Sequence, residues 1–189
     1  MMNTTLKDYI KVYKQFLDPK HCSQLIENLA GAKWGKHRFY SAATDSRSHH
    51  GDDCDTTIEH IPGKDNVQES IKNAIWEYTL RDMAHMNKWF GLPSAFTNAK
   101  FNKYNKLTRM NIHCDHIHSI FDGNAKGVPI LSILGALNDN YKGGELFLCG
   151  EHIDLKAGDI VIFPSNFLYP HEVKPVQSGT RYSFASWAW

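Results

Sequence analysis

The spacing of apolar positions changes rhythm near Asn98. Before it the rhythm is mostly helical. Asp8 to Tyr13 alternates, and Tyr9 with Phe16 frames a short predicted strand. Asp18-Pro19 then opens a helix, with Asp as N-cap, Pro in the first turn and Gly31 just past the end; Leu25, Ile26 and Leu29 mark its buried face. Val67, Ile71, Ala74, Ile75 and Tyr78 fall at helical spacing between Asp65 and Phe90, and Gly91 with Pro93 ends that run. Between the two helices, Ser41 to Thr57 has no apolar period and reads as a long polar loop. Both a substrate lid and plain solvated coil fit such a segment.

After Asn98 the period becomes two. Predicted strands are 99–104, 109–115, 128–138, 145–148, 159–163, 171–174 and 180–189. Turn signals separate them at Asp122-Gly123, Lys142-Gly143-Gly144, Ala157-Gly158 and Ser178-Gly179. Short strands with no helix between them predict an antiparallel sandwich or jelly roll. Helices that precede the strands should cover one face of a sheet. The expectation is an α+β, mainly β chain forming one domain over 1–189. Within it, 1–97 carries the first strand, the helices and the lid loop, and 98–189 the β core.

Composition adds boundaries. The chain has 189 residues, enough to bury a core without a disulfide or zinc staple. Lys and Arg number 21 and Asp and Glu 20, a net charge of +1, which disfavours a nucleic-acid partner. Cys22, Cys54, Cys114 and Cys149 form no C-x-x-C pair, so reduced thiols in a cytoplasmic protein are expected. The N-terminus lacks the apolar region of a signal peptide, and no run of 18 apolar residues exists, so no membrane association is expected. Eleven histidines are the outlier, and neutral His is the commonest metal ligand.

Two His and one carboxylate bind a metal while leaving open positions for substrate and oxygen. His-x-Asp on a strand puts two of these donors on one face. Three such pairs occur, beginning at His50, His113 and His152. The first lies in the polar loop and the third on a short hairpin-like piece. The second ends an alternating strand, with Met110, Ile112 and Cys114 assigned to an apolar face and Asn111, His113 and Asp115 to a polar one. His171 opens a later strand. A hairpin through Ser178-Gly179 would set Arg181 beside it, with Ser183 on the Arg181 face as a second carboxylate donor. Charges balance: Fe(II) with one Asp is +1, Arg181 adds +1, and a dicarboxylate brings −2.

These residues resemble the Fe(II)/2-oxoglutarate-dependent dioxygenase superfamily, in its prolyl 4-hydroxylase-like branch. The matching pieces run from Phe101 to Trp189. They are Tyr104, the His113-Cys114-Asp115 pair, Leu137-Asn138-Asp139 with Gly143-Gly144-Glu145-Leu146, Gly158 to Phe163, and His171-Glu172-Val173 with Arg181. Phe16-Leu17-Asp18 matches more weakly. The resemblance implies a double-stranded β-helix (jelly roll) with iron held by His113, Asp115 and His171. It implies 2-oxoglutarate chelated to that iron, its far carboxylate paired with Arg181 and helped by Ser183, and Tyr104 hydrogen-bonded to the co-substrate. O2 is the second co-substrate, and ascorbate is the reductant associated with such enzymes. Three positions depart from the branch: Arg181 stands where many members carry Lys, Ala136 where some carry a second tyrosine, and Met110 where a tyrosine is common.

The implied activity is hydroxylation of an unactivated C–H bond with release of succinate and CO2, with a peptidyl proline as first substrate and a peptide or protein as partner. A free amino acid or other small molecule is the alternative, and a nucleic-acid demethylase comes third. In a different class stands a cupin-like metal-binding module that performs no oxidation. His116 and His118 after the ligand strand, and His49, His50, Asp52, Asp53 and Asp55 in the loop, are read chiefly as solvated. Cys114 is read as buried and inert, Trp187 as pocket wall or core, and Lys100, Lys103, Lys106 and Arg109 as a solvated strand face.

Overall fold

The computed structural model describes residues 5–41, 46–86, 91–115 and 129–189. Its elements run in chain order as follows. β1 (Lys11–Tyr13) and α1 (Pro19–Leu29) lead to β2 (Gly35–Lys36), β3 (Phe39–Ser41), β4 (Ser46–Ser48), β5 (Asp55–Thr57) and α2 (Lys64–Trp76). β6 (Lys100–Tyr104), β7 (Met110–His113), β8 (Leu131–Ala136), β9 (Lys142–Gly143), β10 (Leu146–Leu148) and β11 (Glu151–Ile153) follow. β12 (Ile160–Pro164), β13 (His171–Val173), β14 (Val176–Ser178) and β15 (Arg181–Ala188) complete it.

Seven strands pair antiparallel in the order β1-β12-β8-β15-β6-β5-β2. Facing them is a four-stranded sheet, β11-β10-β13-β7. Together they form the jelly roll. The period-two pattern explains why the large sheet packs on both faces. Ile160 and Ile162 of β12, Ile133 of β8, Phe101 of β6 and Phe184 of β15 point outward into one core with Cys22, Leu25 and Leu29 of α1 and Val67, Ile71 and Ala74 of α2. Their neighbours Val161, Phe163, Ala136 and Tyr104 point inward against Leu146, Leu148, Val173 and Met110. The helices cover one sheet face, as their order along the chain predicts.

Both helix starts follow local chemistry. Asp18 accepts the Lys20 N–H at 2.8 Å as N-cap of α1. Gly63 takes φ 89° ahead of α2, a left-handed conformation that favours glycine. The second helix is shorter than its periodicity predicts. It ends at Trp76 and continues as a π-helical turn, Glu77–Asp82, where Met83 N–H bonds the Tyr78 carbonyl five residues back. A 3-10 turn, Ala84–Met86, follows, and 87–90 lie outside the described residues.

The polar loop also differs from expectation. β3 and β4 form a hairpin, and β5 joins the large sheet between β6 and the edge strand β2. Side-chain alternation carries no hydrophobic signal there because β5 is three residues long and is held to its neighbours on both sides by charge: Asp55 lies 3.0 Å from Lys36 of β2 and 4.0 Å from Lys103 of β6. Asp52 pairs with Arg109 at 2.6 Å, and Asp53 is fully buried and accepts the His50 N–H. These carboxylates anchor the segment. None of Asp52, Asp53 and Asp55 lines the cavity described below.

Gly135 of β8 lies opposite Phe184 of β15, and a Cβ at Gly135 would sit 2.0 Å from that buried ring. Gly135→Ala is expected to cost about 1–3 kcal/mol by overpacking, read as a lowered denaturant midpoint with unchanged slope. An unchanged midpoint would contradict this packing.

Candidate metal and dicarboxylate site

β7 pairs with β13 so that His113 stands opposite His171, while Val173 stands opposite Met110. Four residues of β7 (110–113) therefore span three of β13 (171–173), a β-bulge. The bulge corrects the expected alternation. Met110 and His113 both line the cavity between the sheets, and Ile112 is 67% exposed. Cys114, expected to be buried away from the metal, is half-buried at the cavity edge and reaches the Phe167 carbonyl at 3.4 Å.

His113 and His171 are oriented in the same way. Nδ1 of each lies near the carbonyl two residues back, 2.7 Å from Asn111 O and 3.1 Å from Tyr169 O. Donation from Nδ1–H leaves the Nε2 lone pair free for a metal. Both Nε2 atoms lie 3.6 Å from carboxylate oxygens of Asp115, within the roughly 4.2 Å that two metal–ligand bonds of about 2.1 Å can span. These three side chains form the metal-capable cluster found among the described residues. Asp115 follows the strand end and is held from the opposite sheet. Ser132 Oγ donates to its carboxylate at 2.7 Å and Ser165 Oγ to its carbonyl at 3.1 Å.

Protonation states suit a cation. Burial pushes His113 down to about 4, assisted by the neighbouring His171. Burial alone would raise Asp115, but His171, His113 and the Ser132 hydroxyl outweigh it and hold the carboxyl below its ordinary value. His113 is thus a neutral imidazole beside an ionised Asp115 at neutral pH. His50 and His152, from the other two His-x-Asp pairs, do not join this cluster.

Arg181 does not stand beside His171. After β14 pairs with β9, the turn at Gly179 (φ 79°) carries the chain to the large sheet, where β15 lies between β8 and β6. Arg181 therefore faces the histidines from the opposite wall of one cavity of about 350 Å³. It is 4% exposed, donates to Ser183 Oγ at 2.9 Å and stacks 4.8 Å from the Tyr104 ring centre. Among the described residues it has no carboxylate partner, and its Nε is unbonded. Burial raises Tyr104 well above the ordinary tyrosine value, so its hydroxyl stays protonated. Ser183 and Trp187 line the same wall, and Ala136, where a second tyrosine was a family option, is buried small packing.

Sequence reasoning missed several cavity residues. Lys100 carried a signal, since it alternates in phase with the inward Tyr104 on its strand; Ser132, which holds Asp115 without lining the cavity, is likewise in phase with Leu134. His37, Arg38 and Phe39 carried none, because they reach the cavity mouth from irregular backbone and a short hairpin; Arg47 joins them there. Lys103 fits its expected outward face, over the Trp34 ring. His116 and His118 lie outside the described residues.

Residues 99–189 match the family model of the 2OG-Fe(II) oxygenase superfamily. The chain belongs to that superfamily. A PKHD-type hydroxylase of Acinetobacter baumannii is 32% identical over 138 residues, 69% of this chain and 56% of that protein. One from Xylella fastidiosa is 27% identical over 194 residues, 92% of this chain and 74% of its own. The chain thus spans little more than half the length of the Acinetobacter relative. A Pseudomonas putida prolyl-4-hydroxylase structure aligns with TM-score 0.66 at 17% identity, covering 95% of this chain and 91% of that one. A Trichoplax adhaerens prolyl hydroxylase, solved with a hypoxia inducible factor peptide fragment, also aligns at 0.66, with 19% identity over 96% and 84%. These likenesses establish the prolyl-hydroxylase-type jelly roll.

The buried histidines make pH a probe of the site. Burial, with the charge of Lys100, brings His37 down to about 3. Unfolded histidine titrates near about 6.5. Between about 4 and 6.5 the unfolded chain takes up protons that folded His37 and His113 refuse. Stability of the metal-free protein is therefore full above that window and falls as pH drops through it. Denaturant midpoints at pH 7 and 5 should differ in this direction, and His37→Gln should shrink the difference. Equal midpoints would contradict neutral buried imidazoles.

Proposed function

We propose that this chain is an Fe(II)- and 2-oxoglutarate-dependent hydroxylase, with His113, Asp115 and His171 as metal ligands. The observation that carries this reading is Arg181, a buried guanidinium without an acidic partner among the described residues, facing the metal-capable trio across one cavity. An uncompensated buried charge is costly, so such a group calls for an anionic ligand. A dicarboxylate fits: one end meets the Arg181 and Ser183 donors while the other reaches the metal.

Bound there, iron with 2-oxoglutarate and O2 supplies the oxidation of an unactivated C–H bond, releasing succinate and CO2. The protein's share is positioning. The Asn111 and Tyr169 carbonyls fix both imidazoles, Ser132 fixes the carboxylate, and the Tyr104 hydroxyl stands ready as a donor beside Arg181. Phe39, 5.3 Å from the His113 ring, and the β3–β4 hairpin wall the mouth against water.

For substrate we take a peptidyl proline, on the strength of relatives named as hydroxylases and a fold neighbour solved with a peptide. A free amino acid or another small molecule is the alternative within the same chemistry. Ascorbate fits as the reductant that keeps iron ferrous, and four unpaired cysteines suit a reducing cytoplasm. Among the described residues no helix is long and apolar enough to cross a membrane. A cupin-like module without oxidation leaves the buried Arg181 unexplained.

Under anaerobic conditions, Fe(II) and 2-oxoglutarate should together give a visible metal-to-ligand charge-transfer band. Its absence from the wild-type protein would overturn the reading. Arg181→Gln should weaken 2-oxoglutarate binding by roughly 30-fold or more, the loss expected for one partner of a buried charged pair. Succinate release across proline peptides and free amino acids then addresses substrate. Oxidation of neither, with 2-oxoglutarate bound, would exclude both classes.

A further inference from the structure

β6 presents Lys100, Asn102 and Tyr104 to the cavity at alternate positions, while Phe101 between them packs under the helices. Lys100 is therefore not on the solvated face expected from sequence. It is half-buried, and among the described residues its ammonium makes no hydrogen bond and no ion pair. It rests 4.8 Å from the centre of the Trp187 ring. Burial holds its pKa below the ordinary lysine value. Beside it, Asn102 is 5% exposed and its Oδ1 has no partner among the described residues.

Charge makes Lys100 conspicuous. Asp115 is the acidic side chain of the described cavity lining, against Lys100, Arg181, Arg38 and Arg47. A divalent ion on Asp115 and the Arg181 charge are cancelled by the two carboxylates of 2-oxoglutarate. Lys100 stays uncompensated, with Arg38 and Arg47 adding positive charge at the mouth. Nor can the carboxylate at Arg181 serve it. Arg181 lies across from Tyr104 and Ala185 across from Lys100, roughly 13 Å apart along the strands, and the ammonium leans towards Trp187, away from the Arg181 row.

We propose that Lys100 is a specificity-determining residue that pairs with a carboxylate of the substrate, with the Asn102 amide beside it for an adjoining N–H. The substrate is then an anion: a free acid, or a peptide carrying an acidic group next to the reacting residue. The inference rests on 2-oxoglutarate occupying Arg181.

Binding tests it without turnover. The protein loaded with Zn(II), which is redox-inert, and 2-oxoglutarate is titrated calorimetrically with matched acid and amide pairs. One pair is N-acetyl-L-proline and its amide; the other is a short peptide with Pro-Asp against Pro-Asn. The acid of at least one pair should bind at least about tenfold more tightly, as one charged contact predicts. A preference in the first pair assigns a small acid, and in the second an acidic peptide. Lys100→Met should abolish the preference and keep 2-oxoglutarate binding, and Lys100→Arg should retain it. Equal binding of acid and amide, or binding of neither, overturns the proposal. Loss of 2-oxoglutarate together with the acid in Lys100→Met also overturns it, by moving Lys100 to the co-substrate. Failure of the wild type to bind 2-oxoglutarate at all, seen before any acid is added, overturns the Arg181 reading itself.

Discussion

The bulged pairing of β7 with β13 sets the geometry of the whole cavity. It sets His113 beside His171 with ring centres 4.3 Å apart and turns both imidazoles, with Met110, to the inside of the jelly roll. Regular alternation would have sent either Met110 or His113 out to solvent. The strand then ends, and Asp115 is drawn across by Ser132 of the opposite sheet. The metal-capable trio is thus tied to both sheets, and neither sheet alone could form it.

From that point the cavity is organised by charge across a gap. Donors for a cation stand on the small sheet, and donors for anions stand on the large one, at Arg181 and Lys100. The two walls hold opposite tasks because β15 and β6 each put polar residues inward and large apolar residues outward. Phe184 and Phe101 are clamped under the helices, and that packing fixes the strands whose other faces present Arg181, Ser183 and Lys100. Buried polar groups left unpaired, Arg181 Nε and Asn102 Oδ1 among them, are costs that a fold bears where ligands complete the bonding. The carboxylates at Asp52, Asp53 and Asp55 do the opposite work. They neutralise Arg109, Lys36, Lys103 and local backbone, and so secure the polar segment that leads to the cavity mouth.

Much of this was legible along the chain. The apolar periods located both helices and the main strands, because core packing imposes the periods of 3.6 and 2 directly on side-chain choice. Asp18 and Pro19 marked a helix start through bonding that is local to a few residues. His113, Asp115, His171 and Arg181 were readable as a set because their types and spacings are chemically unusual. The edge strand β2 and its short neighbour β5, the π-helical turn after Trp76 and the β7 bulge were not legible. Two- and three-residue strands at the rim of a sheet are too short to show a period, and a π turn or a bulge is one extra residue that packing elsewhere decides.

The chain by itself determined which residues are capable of the chemistry and which face of each strand or helix they share, since those follow from bond geometry within a few residues. It could not determine which faces meet. Arg181 read locally as a neighbour of His171, yet it stands opposite, because the turn at Gly179 moves the chain between sheets. Lys100 read as one of several solvated lysines, yet only it is folded inward, because Phe101 next to it is claimed by the helices. Such choices depend on contacts between segments far apart in sequence, and tertiary packing alone settles them.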